Sequence, residues 1–164
     1  MDLNNYFEPV SLEKPDKPFR VSDALFGRNI TINTPSSPVG EISNYQLAIL
    51  GVAEDRNSHN QGSALAPDRI RMKLYELFRV NEKLRIIDLG NIKATASAED
   101  TIFGIRDVMI HLLNNQVTAI VLGGTQDVTR GIFMAYEQRA STTNAVIVDS
   151  RLDMDEGTPN SSSW

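Results

Sequence analysis

From Tyr45 onward, apolar and polar positions fall into blocks with two different periods. Gln46-Leu47-Ala48-Ile49-Leu50-Gly51-Val52 is a short apolar run closed by glycine, the pattern of a strand buried on both faces. A polar loop runs from Glu54 to Gly62, and Ala66-Pro67-Asp68 then opens a helix with proline near its first turn. Ile70, Leu74, Leu77 and Phe78 are expected to form the apolar stripe of that helix. Arg85-Ile86-Ile87-Asp88-Leu89-Gly90 predicts a second strand. Ser97, with Asp100 three residues on, forms a capping pair, and the helix it opens carries Ile102, Ile105, Val108, Met109, Leu112 and Leu113 on one face. Val117 to Gly124 predicts a third strand, Asp127 to Gln138 a third helix, and Ala145-Val146-Ile147-Val148-Asp149 a fourth strand. Strand and helix alternate with short connections. That implies an α/β fold in three layers (α/β/α), with a parallel sheet covered by helices on both sides.

Residues 1–45 read differently. Pro9, Pro15, Pro18, Pro35 and Pro38 interrupt short apolar runs, which predicts an extended N-terminal segment over the domain, with one helical turn near Ser22 to Phe26. Residues 46–164 hold the α/β domain. With 164 residues, 41% of them apolar and 23% charged, the chain suits one globular domain. A net charge of −5 disfavours a general nucleic-acid binder, which would carry a basic face. The absence of cysteine excludes a disulfide framework, a thiol nucleophile and a cysteine metal site. No apolar run approaches the roughly 18 residues of a membrane span. Met1-Asp2-Leu3-Asn4-Asn5 also lacks the basic-then-apolar start of a signal peptide, so a cytoplasmic setting with no membrane partner is expected. The polar tail from Thr158 to Trp164, capped by a lone tryptophan, reads as the end of a piece of a longer protein.

In open parallel sheets ligands bind beyond the carboxyl ends of the strands, which is where the suggestive polar residues fall. Glu54 and Asp55 follow the first strand, Gln126 and Asp127 the third, and Asp149 to Asp155 the fourth. The stretch Asp149-Ser150-Arg151-Leu152-Asp153-Met154-Asp155-Glu156 is the strongest chemical signal, because hard divalent cations prefer carboxylate oxygens. The competing reading makes Asp149 a strand-end turn residue and the others solvated loop charges. Gly123-Gly124-Thr125-Gln126-Asp127 allows close backbone approach and offers a helix N-terminus to an anion, but it lacks the spacing and lysine of a P-loop. Taken alone, Asp127 reads as a helix cap. Asp153-Met154-Asp155-Glu156-Gly157-Thr158 departs from the aspartate phosphatase signature at Glu156 and starts too far beyond the strand. Of the two histidines, His111 reads as structural or exposed, and His59 lies in the loop after the first strand without a metal-ligand spacing.

Taken together, three blocks resemble the ureohydrolases, the family of arginase, agmatinase and formimidoylglutamase, with the formimidoylglutamase-like branch nearest. They are Gly51-Val52-Ala53-Glu54-Asp55 through Gly62 to Arg71, then Val121-Leu122-Gly123-Gly124-Thr125-Gln126, then Asp149-Ser150-Arg151-Leu152-Asp153. The likeness covers roughly residues 46–155, the N-terminal part of the family fold. It implies hydrolysis of guanidino or formimino C–N bonds (linear amidines) of a small-molecule substrate by two bridged Mn²⁺ ions, in a homo-oligomer. Asp149 and Asp153 match metal-binding aspartates, whereas Gln126 and Arg151 stand where the family has metal-binding histidines. A glutamine amide is a weak neutral ligand, and a guanidinium has no acceptor with which to ligate a cation. The resemblance therefore implies a degraded dimanganese site. Arg151 would act as a built-in cation between Asp149 and Asp153, with a non-catalytic ligand-binding or assembly protein as the alternative. It also implies that strands from later in the family sequence lie between the third and fourth strands. Without them, the chain is expected to repack or self-associate. A weaker alternative is an unrelated doubly wound domain that binds a nucleotide or phosphate.

Overall fold

The computed structural model describes residues 1–11, 23–58, 61–79, 81, 83–139 and 142–149. Among the described residues, five strands form one sheet: β1 (Phe7–Glu8), β2 (Thr31–Ile32), β3 (Leu47–Gly51), β4 (Ile86–Ile92) and β5 (Thr118–Leu122). β3 lies at the centre, paired in parallel with β4 on one side and β5 on the other. Ala48, Ile49 and Leu50 are accordingly buried, as an apolar run flanked on both edges must be. Helices α1 (Ala66–Leu74), α2 (Ala98–Asn114) and α3 (Val128–Glu137) follow β3, β4 and β5 in turn. The crossovers from β3 to β4 and from β4 to β5 run in opposite directions along the sheet. Right-handed connections then place α1 and α2 on opposite faces. α3 packs beside α2, where a side chain at Gly131 would meet Ile102 O and Ile105 at 2.7–2.8 Å.

The expected α/β class holds, and its helix boundaries follow the sequence signals. Pro67 lies in the first turn of α1, and the Ser97 side chain accepts a hydrogen bond from the Asp100 backbone N–H at 3.1 Å to start α2. The stripe expected on α2 is inward: Ile102, Ile105, Val108, Met109 and Leu112 are buried.

The described residues of the N-terminal segment join the sheet itself. β2 pairs in parallel with the early part of β4 through Ile87 and Asp88, and β1 pairs antiparallel with its end through Asn91 and Ile92, so the sheet is mixed. Between those two partners β4 carries a bulge: Ile49 faces Asp88 while Gly51 faces Asn91, leaving one extra residue on β4. Gly90 sits in that bulge at φ +91°, and a Cβ there would lie 2.0 Å from the Glu8 carbonyl oxygen. Leu3, Phe7, Val39 and Ile42 join the same core. The single turn expected near Ser22 to Phe26 is a 3₁₀ turn at Phe26–Arg28.

Two expectations are overturned. The predicted apolar stripe does not seat α1: the helix ends at Leu74, Ile70 is exposed, Leu74 is half-buried, and Leu77 and Phe78 lie beyond the helix and are exposed, Phe78 by 68%. The face turned inward holds Pro67 and a wholly buried Arg71. Polar partners rather than apolar area seat this helix, because the Arg71 guanidinium reaches the buried Asp88 carboxylate, the Gly90 carbonyl and the Asn91 side chain. The second correction concerns Ala145 to Asp149, which forms no strand, with Val146 and Val148 about nine-tenths exposed. An apolar run becomes a strand only where a neighbour supplies ladder partners, and none does so here among the described residues. The outer edge of β5 is likewise unpaired among the described residues, and Ile120 on it is exposed.

Candidate functional site

The loops after β3 and β5 are stitched together just past the strand ends. Val52 N–H donates to Leu122 O at 2.8 Å, Gly124 N–H to Val52 O at 3.0 Å, and Thr125 N–H to Glu54 O at 2.9 Å. A Cβ on Gly124 would lie 2.1 Å from the Glu54 carbonyl oxygen, so the glycine serves a close backbone approach, with the neighbouring loop as the partner. The expectation of close approach is borne out at Gly124.

That contact fixes Glu54, whose side chain is buried. Arg56 donates from Nε to Glu54 Oε1 at 2.9 Å and from Nη2 to Oε2 at 2.5 Å, a paired arrangement, while the Arg56 backbone N–H donates to Oε1 at 2.9 Å. Hydrogen bonding from the Arg56 side chain lowers the Glu54 pKa below the ordinary 4.5, against the opposing effect of burial. The Arg56 guanidinium is correspondingly raised, chiefly by its bond to Glu54. Arg56 also reaches the Thr95 carbonyl at 2.9 Å and the Thr101 hydroxyl at 3.0 Å. One ion pair therefore joins the loop after β3, the loop after β4 and the start of α2. A second, between Arg130 and Glu99 with both guanidinium nitrogens engaged at 2.7 and 2.9 Å, ties α3 to α2 nearby. Asp55 closes the loop after β3 by accepting from Gly62 N–H at 2.8 Å. The sequence had placed Glu54 and Asp55 at this rim but not the Arg56 pairing; the available signal was a carboxylate two residues before an arginine at the end of a buried strand.

Gln126 lies on the turn into α3 and is exposed, and Asp149 is exposed at the end of its extended segment. Asp127 takes the N-cap position of α3 as expected, but its side chain makes no capping bond. Arg151, Asp153 and His59 lie outside the described residues. His111, half-buried near the C-terminal end of α2, has a pKa lowered first by burial and then by the chain's N-terminal charge.

A dimanganese centre needs several imidazole or carboxylate donors converging on one point. Among the described residues no group of three or more His, Asp or Glu side chains is placed to hold a metal. The Glu54 carboxylate is already engaged by Arg56, and the Asp88 carboxylate by Arg71 and Tyr75. One buried hydroxyl at this rim, Thr125 Oγ1, has no hydrogen-bond partner among the described residues. Of the positions matched to family ligands, Gln126 and Asp149 are among the described residues, and Arg151 and Asp153 are not. No helix among the described residues is long and apolar enough to cross a membrane.

Comparison with known proteins points to the same family as the sequence blocks. The chain is 28% identical over 153 residues to the formimidoylglutamase of Salmonella heidelberg, covering 88% of this chain and 46% of that protein. Against the formimidoylglutamase of Salmonella arizonae it is 31% identical over 121 residues, 66% of this chain and 37% of the relative. It thus spans less than half the length of these relatives. In fold it resembles the crystal structure of formimidoylglutamase from Bacillus subtilis, with TM-score 0.60, 19% identity, and 80% of this chain and 43% of that one covered. It also resembles that of Trypanosoma cruzi formiminoglutamase with Mn²⁺, with TM-score 0.56, 20% identity, and 61% and 37% covered. The arginase family profile matches residues 45–163, which contain β3, β4, β5 and the joined loops at their carboxyl ends. This chain belongs to the arginase family.

Proposed function

We propose that this protein is a formimidoylglutamase-like member of the arginase family whose dimanganese centre is degraded, leaving it without amidine hydrolysis. The observation that carries this reading is the donor set itself: Gln126 and Arg151 stand at two positions where the family pattern has histidine ligands. An amide oxygen brings no charge to a divalent ion, and a guanidinium repels one. Arg151 serves instead as the positive partner of Asp149 and Asp153, taking the electrostatic place of the metals. The internal neutralisation of Glu54 by Arg56 at the same rim supports a site organised by organic cations. A small guanidino or formimino molecule is the ligand class this reading implies, and the chain assembles as a homo-oligomer. A chain without cysteine suits the cytoplasm.

The test is the metal content of the full chain after incubation with Mn²⁺ and desalting. It is read by elemental analysis, alongside urea or formamide release from arginine, agmatine and formiminoglutamate. We expect no retained manganese and no turnover. About two tightly held ions per chain, with product release, would overturn the reading. A second reading, a ligand-binding or assembly protein on the arginase fold, is favoured by the exposed Val146-Ile147-Val148 run and by the outer edge of β5, unpaired among the described residues.

A further inference from the structure

Because Arg71 seats α1, the apolar stripe of that helix is left without a neighbour to cover it among the described residues. Ala66, Arg69, Ile70, Lys73, Leu74 and Leu77 line a shallow groove of about 520 Å³ along the helix. Ile70 is 43% exposed and Leu77 58%. The Glu76 N–H donates to Lys73 O at 3.2 Å and the Leu77 N–H to Leu74 O at 3.1 Å, so the helical winding continues past Leu74 and these side chains stay on one side. Isolated exposed leucines are ordinary, but apolar residues at i, i+4 and i+8 form a surface that packs against another helix. The charges beside the stripe say which helix. Arg69 and Glu76 are seven residues apart, close to two full turns, and therefore share one flank of it. Arg69 is exposed, and Glu76 accepts only a long, exposed contact from Lys73 at 3.4 Å. A flank that is positive near its start and negative near its end complements itself when two copies lie antiparallel about a twofold axis, because each flank then meets its own pattern in reverse. Lys73, nearest that axis, carries its counter-charge in Glu76 of its own chain.

We propose that α1 packs antiparallel against α1 of a second copy of this chain, covering Ile70, Leu74 and Leu77 and setting Arg69 opposite the partner's Glu76 on both sides of the axis. The apolar stripe supplies the attraction and the two exposed ion pairs fix the direction and register of the helices. This interface rests on the homo-oligomer of the proposed function and names its surface; it is independent of whether the rim at Glu54 and Gln126 binds metal.

The experiment is sedimentation velocity over a concentration series of the full chain, run on the native protein, Arg69→Glu, Glu76→Arg and the double exchange. Both residues are exposed, so the variants should fold, with circular dichroism as the check. Each single reversal sets like charges opposite one another twice per dimer and should weaken association about tenfold. The double exchange keeps the native net charge and should return to within about twofold of the native constant. A native chain that stays monomeric would overturn both this interface and the homo-oligomer. Association that ignores the single reversals, or a double exchange that recovers nothing, would overturn this interface and leave the oligomer to another surface.

Discussion

Arg71 and Asp88 form an ion pair with no solvent exposure at either side chain, Nε to Oδ2 at 2.9 Å. The same carboxylate accepts from the Tyr75 hydroxyl at 2.8 Å and, through Oδ1, from the Gly90 backbone N–H at 3.0 Å. The pair therefore seats α1 and braces the bulge in β4 at once. The Tyr75 hydroxyl is driven far above its usual pKa, first by burial and then by the Asp88 charge. Arg71→Met should destabilise the chain by about 3–5 kcal/mol, because it strands a buried charge. Tyr75→Phe should cost only about 1 kcal/mol. Urea unfolding monitored by circular dichroism would rank them, and equal losses would show that the carboxylate finds other partners.

Glu54 makes acid stability depend on Arg56. Because the folded-state pKa lies below the ordinary 4.5, the bond contributes fully above that value and is lost as pH falls through the depressed folded value. The native chain should lose stability below about pH 4.5, and Arg56→Gln should flatten that part of the profile. Thermal melts from pH 3 to 6 measure the difference; parallel profiles for the two proteins would count against this assignment.

The lowered pKa of His111 acts near neutrality. The unfolded chain takes up a proton near pH 6.5 more readily than the folded one, so stability is present above that value and declines as pH falls below it. His111→Gln should remove this slope. Proton NMR titration of the imidazole should also move the pKa upward once the N-terminal amine is acetylated.

Glycine at 124 is required by space rather than by φ. Gly124→Ala forces a carbon against the Glu54 carbonyl and should cost about 1–3 kcal/mol. At Gly123 the nearest atoms to a new Cβ are 3.8 Å away, and Gly123→Ala should stay within about 0.5 kcal/mol. Chemical unfolding of the two variants side by side separates the effects.

The rim itself can be re-equipped. Gln126→His together with Arg151→His should raise Mn²⁺ affinity over the native chain, since two imidazoles replace an amide and a cation. Equilibrium dialysis with Mn²⁺ reads the gain, and unchanged binding would count against the proposed role of these two positions.

Self-association is expected where apolar surface is left open: the outer edge of β5 is unpaired among the described residues, and Val146 and Val148 are exposed apolar side chains. Lysine at either position should shift sedimentation toward monomer. A native protein that sediments as one monomeric species would contradict this.

Periodicity alone determined the helices and the three central strands, because period and capping are local properties: Ser97 with Asp100, Pro67, and the buried run from Leu47 to Gly51 are each readable from neighbours in sequence. The sequence blocks that carry the family likeness were equally legible, since residue identity is local. Tertiary structure decided what depends on distant partners. Arg71, rather than the expected apolar stripe, seats α1 because Asp88, seventeen residues away, offers a buried carboxylate. Val146 to Val148 had the composition of a strand but no ladder to join among the described residues, and Glu8, reaching back to Gly90, made the sheet mixed. Local pattern fixes what a segment can become; complementary charge and free hydrogen-bonding edges elsewhere in the chain select what it does.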